Sequence, residues 1–545
     1  MMRTPLLVRH IAERAATVFG EREVVSRTQE GVERTTYAEV VERARRLASA
    51  LRELGVGPGD RVATFAWNSA RHLELYLAVP GLGAVLHTLN IRLFEDDLRY
   101  IAGHAGDRVV FLDASLAGAM PRFEGVEHEV LMPDGPGERE GALDYEDLIE
   151  RGDPGFAFPD LDEDSAAAMC YTSGTTGRPK GVVYSHRSTV LHSLCVNQPD
   201  AVGLRERDSI MPVVPMFHAN AWGLPYAAAL AGARQVFPGP HMEPASLARL
   251  IAEERVTRSA GVPTIWQGVL ALEDPPELPA LEEVMCGGSA VPEALIRGFD
   301  ERFGVPVVQG WGMTETSPLA ANSRPPADAD ALSEDELYAL RASQGRIQPL
   351  VEFRIDEEAG GELQVRGPFI ARDYYEDPAA AEKFTEDGWL RTGDVAELRH
   401  GSYIQLIDRT KDLVKSGGEW ISSVELENHL MAHPDVLEAA VVAVPDERWG
   451  ERPCACVVTR DGASLDAEAV RLPGRPGGQV VAARAVDLHR RGPEDQRRQV
   501  RQEGPAGPLR RRGTRRHPGV ASFFQYLGRA RAGFQQLPVP SERIS

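Results

Sequence analysis

The sequence predicts an α/β protein built from more than one domain. A chain of 545 residues is too long for a single ordinary hydrophobic core. Short apolar runs with strand character, such as DRVATFAWNS at 60–69 and RVVFLD at 108–113, alternate with stretches of helical spacing. This alternation is typical of βαβ units, so we expect βαβ layers with a mostly parallel sheet.

The predicted elements follow in order along the chain. TTYAEVVERARRLASALRELG at 35–55 has apolar residues at helical spacing, opened by Thr and closed by Gly, which predicts a helix. Buried strands are then predicted at DRVATFAWNS, GAVLHTLN, RVVFLD, SAAAMCYT and RQVFPG. From about residue 351 the short strands VEFRID, GELQVRG and SYIQLID, separated by turns, predict a small β-barrel-like part.

We predict the domain boundaries from changes in composition and in the pattern of predicted strands and helices along the chain. We predict a large N-terminal domain over 1–407, a hinge over 408–413, a small α+β C-terminal domain over 414–470 and a separate tail over 471–545. The tail is rich in Arg, Pro and Gly and contains no Lys. It is too polar and too rich in helix breakers to build a core, so we expect it to be disordered and the C-terminal domain to be incomplete.

Composition excludes several classes of protein. No run of 18 apolar residues occurs, so no membrane span is expected, although peripheral membrane contact stays open. The formal net charge of -21 argues against general nucleic-acid binding by the main body. The five cysteines are isolated apart from one C-x-C pair, which favours a reducing cytoplasm over a disulfide framework or a metal site. The N-terminus has no apolar segment typical of a signal peptide.

YTSGTTGRPKG at 171–181 is a candidate anion-binding loop. Gly174 and Gly177 allow the backbone to approach an anion closely, and Lys180 adds positive charge. Its hydroxyl donors are Ser173, Thr175 and Thr176. The spacing is not that of the Walker loop, and taken alone the same residues would also suit a solvated linker.

Further segments follow this loop in a fixed order. They are CGGSAVP at 286–292, GWGMTETSP at 310–318, WLRTGDVA at 389–396 and DRTKDLVKSGGEWIS at 408–422. Together with the loop, they resemble the motifs of the AMP-forming acyl-adenylate synthetases, the family that includes the acyl-CoA synthetases. The resemblance extends from residue 30 to about 465. It implies a large N-terminal domain and a small, mobile C-terminal domain.

The resemblance implies a role for each motif residue. Trp311, where most relatives have Tyr, would stack on adenine, and Asp394 would hold the ribose hydroxyls. Lys180, Thr172, Glu315 and His218 are implied to be catalytic, and Thr172 and Glu315 to be the Mg²⁺ ligands. The implied nucleotide site comprises Thr172, Ser173, Gly174, Thr175, Thr176, Gly177, Lys180, His218, Ala219, Trp222, Gly288, Gln309, Gly310, Trp311, Thr314, Glu315, Asp394, Arg409, Lys411 and Lys415.

The implied reaction has two steps and uses ATP, Mg²⁺ and coenzyme A. A carboxylate attacks the α-phosphate of ATP, which releases pyrophosphate and turns a poor leaving group into AMP. The thiol of coenzyme A then attacks the acyl-adenylate. Between the steps the small domain would rotate about a pivot near Lys411, and Gly417 and Gly418 would then line the path of the pantetheine arm.

The acyl substrate is suggested by VVPMFHANAWGLPYAAALAG at 213–232. Composition alone favours an ordinary buried helix here. However, PMFHANAW together with KSGGEWISS resembles the fatty acyl-CoA synthetases, which implies a fatty acid as substrate and a homodimer. The implied acyl and CoA path comprises Trp222, Gly223, Gly417, Gly418 and Trp420. A CoA ligase for a short thioether or aryl acid stays open, as does a catalytically silent nucleotide-binding protein with a basic tail.

The tail departs from the family. Where relatives have P-K-T-x-x-G-K, this chain has PEDQRRQVRQEG at 493–504. The missing lysine contacts the carboxylate and phosphate during adenylation, so its absence predicts an impaired first step. Back-translated with suitable codons and read one nucleotide later, residues 479–504 encode K-W-W-L-P-E and then P-K-T-S-V-G-K. We therefore expect that the reading frame slips near 465–478, either in the gene or in its sequencing, in preference to an evolved basic tail that binds nucleic acid.

Overall fold

The computed structural model describes residues 1–172, 178–409, 413–416, 419–431, 433, 435–446, 450–459 and 481–482. The chain divides into two compact units. The first comprises Met1–Thr392 and Glu397–Gln405, and the second comprises Gly393–Ala396 and Leu406–Ser545.

Strands and helices alternate along most of the chain. In order, the strands are β1 Glu23–Arg27, β2 Val32–Thr36, β3 Arg61–Phe65, β4 Val85–Thr88, β5 Asp107–Asp113, β6 His128–Met132, β7 Leu143–Asp144, β8 Ala166–Tyr171, β9 Gly181–Ser185, β10 Ser209–Pro212, β11 Arg234–Phe237, β12 Arg258–Gly261, β13 Glu283–Gly287, β14 Val307–Gly312, β15 Leu319–Asn322, β16 Arg346–Ile347, β17 Glu352–Asp356, β18 Glu362–Arg366, β19 Leu390–Arg399, β20 Tyr403–Arg409, β21 Val414–Ser416, β22 Glu419–Ile421, β23 Val436–Asp446, β24 Gly450–Thr459 and β25 Val481–Ala482. The helices are α1 Val8–Val18, α2 Tyr37–Glu53, α3 Ala70–Leu82, α4 Glu95–Ala105, α5 Tyr145–Arg151, α6 His186–Val196, α7 Ala219–Trp222, α8 Leu224–Ala231, α9 Pro244–Glu253, α10 Pro263–Leu270, α11 Glu293–Phe303, α12 Glu334–Arg341 and α13 Ser423–Met431.

The first unit contains two large, mostly parallel sheets. One has seven strands in the order β7-β6-β5-β3-β4-β8-β9, and only β9 runs antiparallel to its neighbour. The other has nine strands in the order β16-β15-β14-β13-β12-β10-β11-β1-β2, with antiparallel pairs at its two ends. A third sheet has the order β17-β18-β19-β20.

Helices α1, α2 and α3 pack in one core cluster with residues of both large sheets. Helix α2 begins with a reciprocal capping box between Thr36 and Glu39, which satisfies two of its free N–H groups. Helix α3 is buried from His72 to Leu82 on every face, as expected of a helix enclosed by other layers. In α2, the apolar residues that predicted the helix are therefore among those that pack in this core.

The second unit is a smaller α+β structure. Strands β21 to β24 form a sheet in the order β22-β21-β24-β23, and helix α13 packs on it through Leu426 and Leu430. Long antiparallel pairing joins β23 to β24. Short pairing joins β21 to β22, with Lys415 opposite Trp420.

The predicted fold class is confirmed. The helix predicted over 35–55 is α2, and the five predicted strands are β3, β4, β5, β8 and β11. The strands VEFRID, GELQVRG and SYIQLID are β17, β18 and β20 of the four-stranded sheet, where a barrel-like part was predicted. Among the described residues, no helix is both long and apolar enough to cross a membrane.

Candidate functional site

The roots of the glycine-rich loop lie on adjacent strands. Because β8 pairs antiparallel with β9, Tyr171 lies opposite Gly181. The Thr172 N–H donates to the Lys180 carbonyl at 2.9 Å, and the Lys180 N–H donates to Thr172 Oγ1 at 3.2 Å. These two bonds close the loop at its base and fix the backbone of both residues. The intervening candidates Ser173, Gly174, Thr175, Thr176 and Gly177 lie outside the described residues.

Lys180 and Glu315 converge on one tyrosine. The Tyr374 hydroxyl donates to Glu315 Oε1 at 2.5 Å. The Lys180 ammonium lies 5.1 Å from the centroid of the Tyr374 ring and 3.4 Å from Asp377 Oδ2. Burial and the neighbouring Glu315 raise the pKa of the Tyr374 hydroxyl well above its usual value, so it stays a donor at neutral pH. The structure thus gathers a cation and a buried carboxylate around Tyr374.

The segment carrying Thr314 and Glu315 is held from two sides. It is a single 3-10 turn that follows strand β14. The Tyr184 hydroxyl, from β9, donates to the Thr314 carbonyl at 2.8 Å. The Ala371 N–H donates to the Glu315 carbonyl at 2.8 Å. The turn is therefore anchored both to the strand that follows the loop and to the segment around Tyr374.

The backbones of strands β13 and β14 pack closely at glycine residues near the ends of these strands. Gly287 pairs with Gly310, and a Cβ on Gly287 would lie 2.4 Å from the Gly310 carbonyl oxygen. The Trp222 ring lies beside this backbone, 3.4 Å and 3.8 Å from the positions of a Cβ on Gly287 and Gly288. Glycine is required at position 287 because any side chain would push the two strands apart. Trp222, Gly288 and Gly310 are thus brought together.

Two further predicted residues lie in β14. Gln309 is buried, and its side-chain oxygen accepts the Val291 N–H at 3.2 Å. This bond ties β14 to the CGGSAVP turn. Trp311 is 7% exposed and lies opposite Ala321 of β15.

Residues Ala219–Trp222 form a left-handed turn, not part of an ordinary helix. Four consecutive non-glycine residues have φ between 44° and 59°, and Gly223 follows with φ of 71°. The composition-based prediction of a buried helix over 213–232 is therefore wrong for the first part of that segment. Helix α8 begins only at Leu224. Left-handed backbone costs about 1–2 kcal/mol per non-glycine residue, so surrounding contacts must hold the turn.

Buried polar groups supply those contacts. Asn68 donates to the carbonyls of Pro212 and Val214 at 2.9 Å each and accepts the Met216 N–H at 2.7 Å. The Cys170 thiol donates to Asn220 Oδ1 at 3.3 Å. These bonds fix the backbone on both sides of His218, whose own side chain is exposed.

His192 supports the same region from α6. Its Nε2 accepts the Leu319 N–H at 3.1 Å. Burial lowers the pKa of His192 to about 4, so the ring is neutral and can accept at physiological pH. A Cβ on Gly223 would lie 2.7 Å from His192 Nδ1, so only glycine fits beside the ring.

The second unit carries the remaining candidates. Asp394 is 7% exposed, and its Oδ1 lies 3.5 Å from Nε of Arg409. Lys415 lies in β21 and Trp420 in β22. Lys411, Gly417 and Gly418 lie outside the described residues.

The residues predicted to bind Mg²⁺ fit that ion by their chemistry. Thr172 offers a hydroxyl and Glu315 a carboxylate, and hard oxygen ligands of this kind suit Mg²⁺. The Glu315 residue is only 6% exposed, so its carboxylate requires compensating partners. No described group of three or more His, Cys, Asp or Glu residues could hold a metal by itself. ATP phosphates and water would therefore complete the coordination shell.

Comparison with known families identifies the family of the chain. The sequence profile described as "AMP-binding enzyme" matches residues 12–375, and the profile described as "AMP-binding enzyme C-terminal domain" matches residues 425–487. The chain belongs to the AMP-binding enzyme family. The resemblance stated from the motifs is confirmed, and the second match reaches beyond the boundary predicted at residue 470.

Several named relatives resemble this AMP-binding enzyme over most of its length. A long-chain-fatty-acid–CoA ligase of Thermus thermophilus is 50% identical over 482 residues, covering 84% of this chain and 87% of the relative. A medium-chain-fatty-acid–CoA ligase of Ectopseudomonas oleovorans is 46% identical over 490 residues, covering 85% and 89%. A 3-methylmercaptopropionyl-CoA ligase of Ruegeria pomeroyi is 46% identical over 489 residues, covering 86% and 90%.

A solved structure agrees with the fold. The crystal structure of ATP-bound MatB from Rhodopseudomonas palustris superposes with a TM-score of 0.72 at 27% sequence identity, covering 84% of this chain and 91% of that one.

The motifs did not reveal every residue that shapes the site of this AMP-binding enzyme. Asn68, Tyr184, His192, Tyr374 and Asp377 were not predicted. Each acts through contacts with residues far away in sequence, which no local spacing shows. The paired tyrosines of RDYYED at 372–377 were the one local signal, since a buried tyrosine usually finds a hydrogen-bond partner.

Proposed function

We propose that this enzyme is an AMP-forming fatty-acid–CoA ligase. It converts a fatty acid and ATP to acyl-AMP and pyrophosphate, and then acyl-AMP and coenzyme A to acyl-CoA and AMP. One observation carries the proposal from the geometry: Lys180 and Glu315 meet at Tyr374, beside the closed root of the loop. The 50% and 46% identities to fatty-acid–CoA ligases support the substrate class.

The adenylation step brings a carboxylate to an already anionic phosphate. Lys180 would supply positive charge to the phosphate oxygens, and Thr172, which is hydrogen-bonded to the Lys180 backbone, would add a hydroxyl group beside it. Mg²⁺, when held by Thr172 and Glu315, would neutralise phosphate charge. His218, exposed beside the rigid left-handed turn, would contact the reacting carboxylate.

Nucleotide selection uses other predicted residues. Trp311, Gln309 and the backbone of Gly288 and Gly310 would form the adenine side of the site. Ala219 and Trp222 would lie beside the nucleotide. Asp394 would accept the ribose hydroxyls, with Arg409, Lys411 and Lys415 reaching the nucleotide from the second unit.

The second step uses a rearrangement at the hinge. We place the domain boundaries at 1–407, 408–413 and 414–470, with a separate tail over 471–545, of which only residues 481–482 are described. Rotation near Lys411 would bring Gly417 and Gly418 to the pantetheine arm, and Trp420 would gate the fatty-acid tunnel beside Trp222 and Gly223. In thiol attack, the sulfur–carbon bond forms, the carbon–oxygen bond to AMP breaks, and the thiol proton leaves to solvent.

The preferred acid distinguishes the proposed fatty-acid substrate from the main alternatives, a short thioether acid or an aryl acid. The identity to a 3-methylmercaptopropionyl-CoA ligase equals that to the medium-chain ligase. Profiling kcat/KM over saturated acids of rising chain length, with 3-methylmercaptopropionate and benzoate in parallel, tests the choice. The proposal expects kcat/KM to increase towards longer chains. Preference for the thioether or the aryl acid would refute it.

The written tail lacks the adenylation lysine, so the first step should be slower than the second. We expect supplied acyl-adenylate and coenzyme A to give acyl-CoA at an ordinary rate, because thiol attack does not use that lysine. A fresh DNA read across the codons for 460–510 tests the frame slip. An inserted or deleted base that restores P-K-T-S-V-G-K would show that the slip arose in sequencing. An unchanged frame would refute a sequencing error and would mean that the chain is made without its adenylation lysine.

We further propose that the enzyme works in the cytoplasm as a homodimer and requires Mg²⁺. All five cysteines are free thiols, which suits a reducing compartment. Light scattering after size-exclusion chromatography should give twice the 59.5 kDa chain mass. A monomer at micromolar concentration would refute the dimer, and full activity in excess chelator would refute the metal requirement.

A further inference from the structure

Residues 371–377 contact Glu315 and the root of the loop beside Lys180, the two charged residues proposed above to act in adenylation. The Ala371 N–H binds the Glu315 carbonyl at 2.8 Å, while the Tyr374 hydroxyl binds the Glu315 carboxylate at 2.5 Å. The Tyr375 N–H donates to the Gly181 carbonyl at 2.9 Å, next to Lys180. One short segment therefore binds both the main chain and the carboxylate of Glu315 and also the main chain at the root of the loop.

Tyr374 is the side chain common to both sets of contacts. It is 8% exposed and also packs against Phe384, with the ring centroids 5.9 Å apart. Its hydroxyl fixes one oxygen of Glu315, and the face of its ring lies under the Lys180 ammonium. A ring face attracts a cation, and a hydroxyl donor restrains a carboxylate, so the two ends of this side chain act on opposite charges.

We propose that Tyr374 is a positioning residue for adenylation, which sets the separation between the Glu315 carboxylate and the Lys180 ammonium. The inference rests on the proposed function and adds to it. Without the hydroxyl, Glu315 Oε1 would lose the donor that holds it. Without the ring, the ammonium would move fully to Asp377 Oδ2, now 3.4 Å away. A carboxylate counter-ion would then compete with phosphate for Lys180.

Two substitutions at Tyr374 separate these contributions. Tyr374→Phe removes the hydroxyl and keeps the ring, whereas Tyr374→Leu removes both. Tyr375→Phe is the matched control, because it deletes a neighbouring hydroxyl and leaves the main-chain bond to Gly181 intact. Each purified full chain is titrated calorimetrically with a non-hydrolysable ATP analogue without metal, and then with Mg²⁺ in its presence. Melting temperature and thioester formation from supplied acyl-adenylate are measured in parallel.

Tyr374→Phe should weaken Mg²⁺ binding about tenfold or more, because hydrogen bonds to charged groups are among the stronger ones. Metal-free binding of the analogue should stay within about twofold, since the ring face that attracts Lys180 remains. Tyr374→Leu should weaken both. The control should change neither, and thioester formation from acyl-adenylate should be unaffected in every variant.

Two results would overturn the inference. One is wild-type Mg²⁺ binding by Tyr374→Phe. The other is an equal loss in every measurement together with a lower melting temperature, which would make Tyr374 an ordinary core residue. Failure of the wild-type chain itself to bind the analogue would instead refute the proposed function, and the two failures are thereby distinguishable.

Discussion

Glu315 illustrates how single residues build this site. Its position in GWGMTETSP was predicted from the motif, but its environment was not. The residue is 6% exposed and accepts from Tyr374, which follows it by about sixty residues in sequence. The motif could therefore predict this carboxylate as a candidate but not its orientation, because orientation comes from long-range hydrogen bonds.

Replacing Glu315 by Gln removes the negative charge of the side chain and keeps its size and its hydrogen-bond acceptor. The amide oxygen can still accept from Tyr374, but the negative charge that suits Mg²⁺ is lost. We expect fatty-acid-dependent ATP–pyrophosphate exchange to fall on the order of 100-fold, with little loss of folding stability. Glu376→Gln, on an exposed neighbour, is the control. Exchange within threefold of wild type in Glu315→Gln would contradict the assigned role.

His192 should make stability depend on pH in a defined direction. Its pKa is about 4 when folded, lowered by burial, against about 6.5 when unfolded, so the unfolded chain binds the extra proton between these values. Its contribution is complete above pH 6.5 and is lost as pH falls towards 4. His192→Gln should therefore destabilise the protein less at pH 4.5 than at pH 7, as measured by urea unfolding. An equal destabilisation at both values would refute this linkage.

The left-handed turn at Ala219–Trp222 is an element that local sequence patterns did not predict. Apolar composition predicted a helix over 213–232, and α8 does occupy Leu224–Ala231. The preceding turn adopts strained backbone because Asn68 and Cys170, both distant in sequence, hold its surroundings. A local pattern cannot report contacts that exist only after the layers have packed.

Asn68→Asp tests this support. The carboxylate can still accept the Met216 N–H, but it cannot donate to Pro212 or Val214 and places negative charge beside their oxygens. We expect the free energy of unfolding to fall by about 3 kcal/mol, because buried acceptors lose their donors. Asn90→Asp is the control, since the Asn90 side-chain oxygen accepts the Arg92 N–H and an aspartate oxygen can do the same. Equal stability of the two variants would contradict the account.

The glycines of β13 and α4 should respond oppositely to alanine. In Gly287→Ala, the new Cβ would meet the Gly310 carbonyl at 2.4 Å, so strands β13 and β14 must separate. We expect a loss of about 2 kcal/mol and weaker nucleotide binding. Gly103→Ala in α4 meets no atom within 4 Å and should stabilise by about 0.5–1 kcal/mol. Melting curves of both variants, with nucleotide titrations, check the pair.

At the scale of the whole molecule, the alternation of strands and helices was enough to predict the α/β class. It did not predict that the strands form two large sheets, because pairing joins distant segments such as β1 and β11. Motif order identified the family over the main body. The tail lacks the lysine that relatives use in adenylation. Adenylation is therefore the step that most needs to be tested in this chain.

The central claim is that this enzyme forms an acyl-adenylate on the way to acyl-CoA. The most direct test supplies the purified chain with a fatty acid that carries ¹⁸O at both carboxyl oxygens, together with ATP, Mg²⁺ and coenzyme A. Attack on the α-phosphate followed by thiol attack leaves one labelled carboxyl oxygen on AMP. We therefore predict that mass spectrometry will find one ¹⁸O atom in the AMP formed with each acyl-CoA, even if turnover is slow. Unlabelled AMP, labelled inorganic phosphate with ADP, or no acyl-CoA at all would contradict the account.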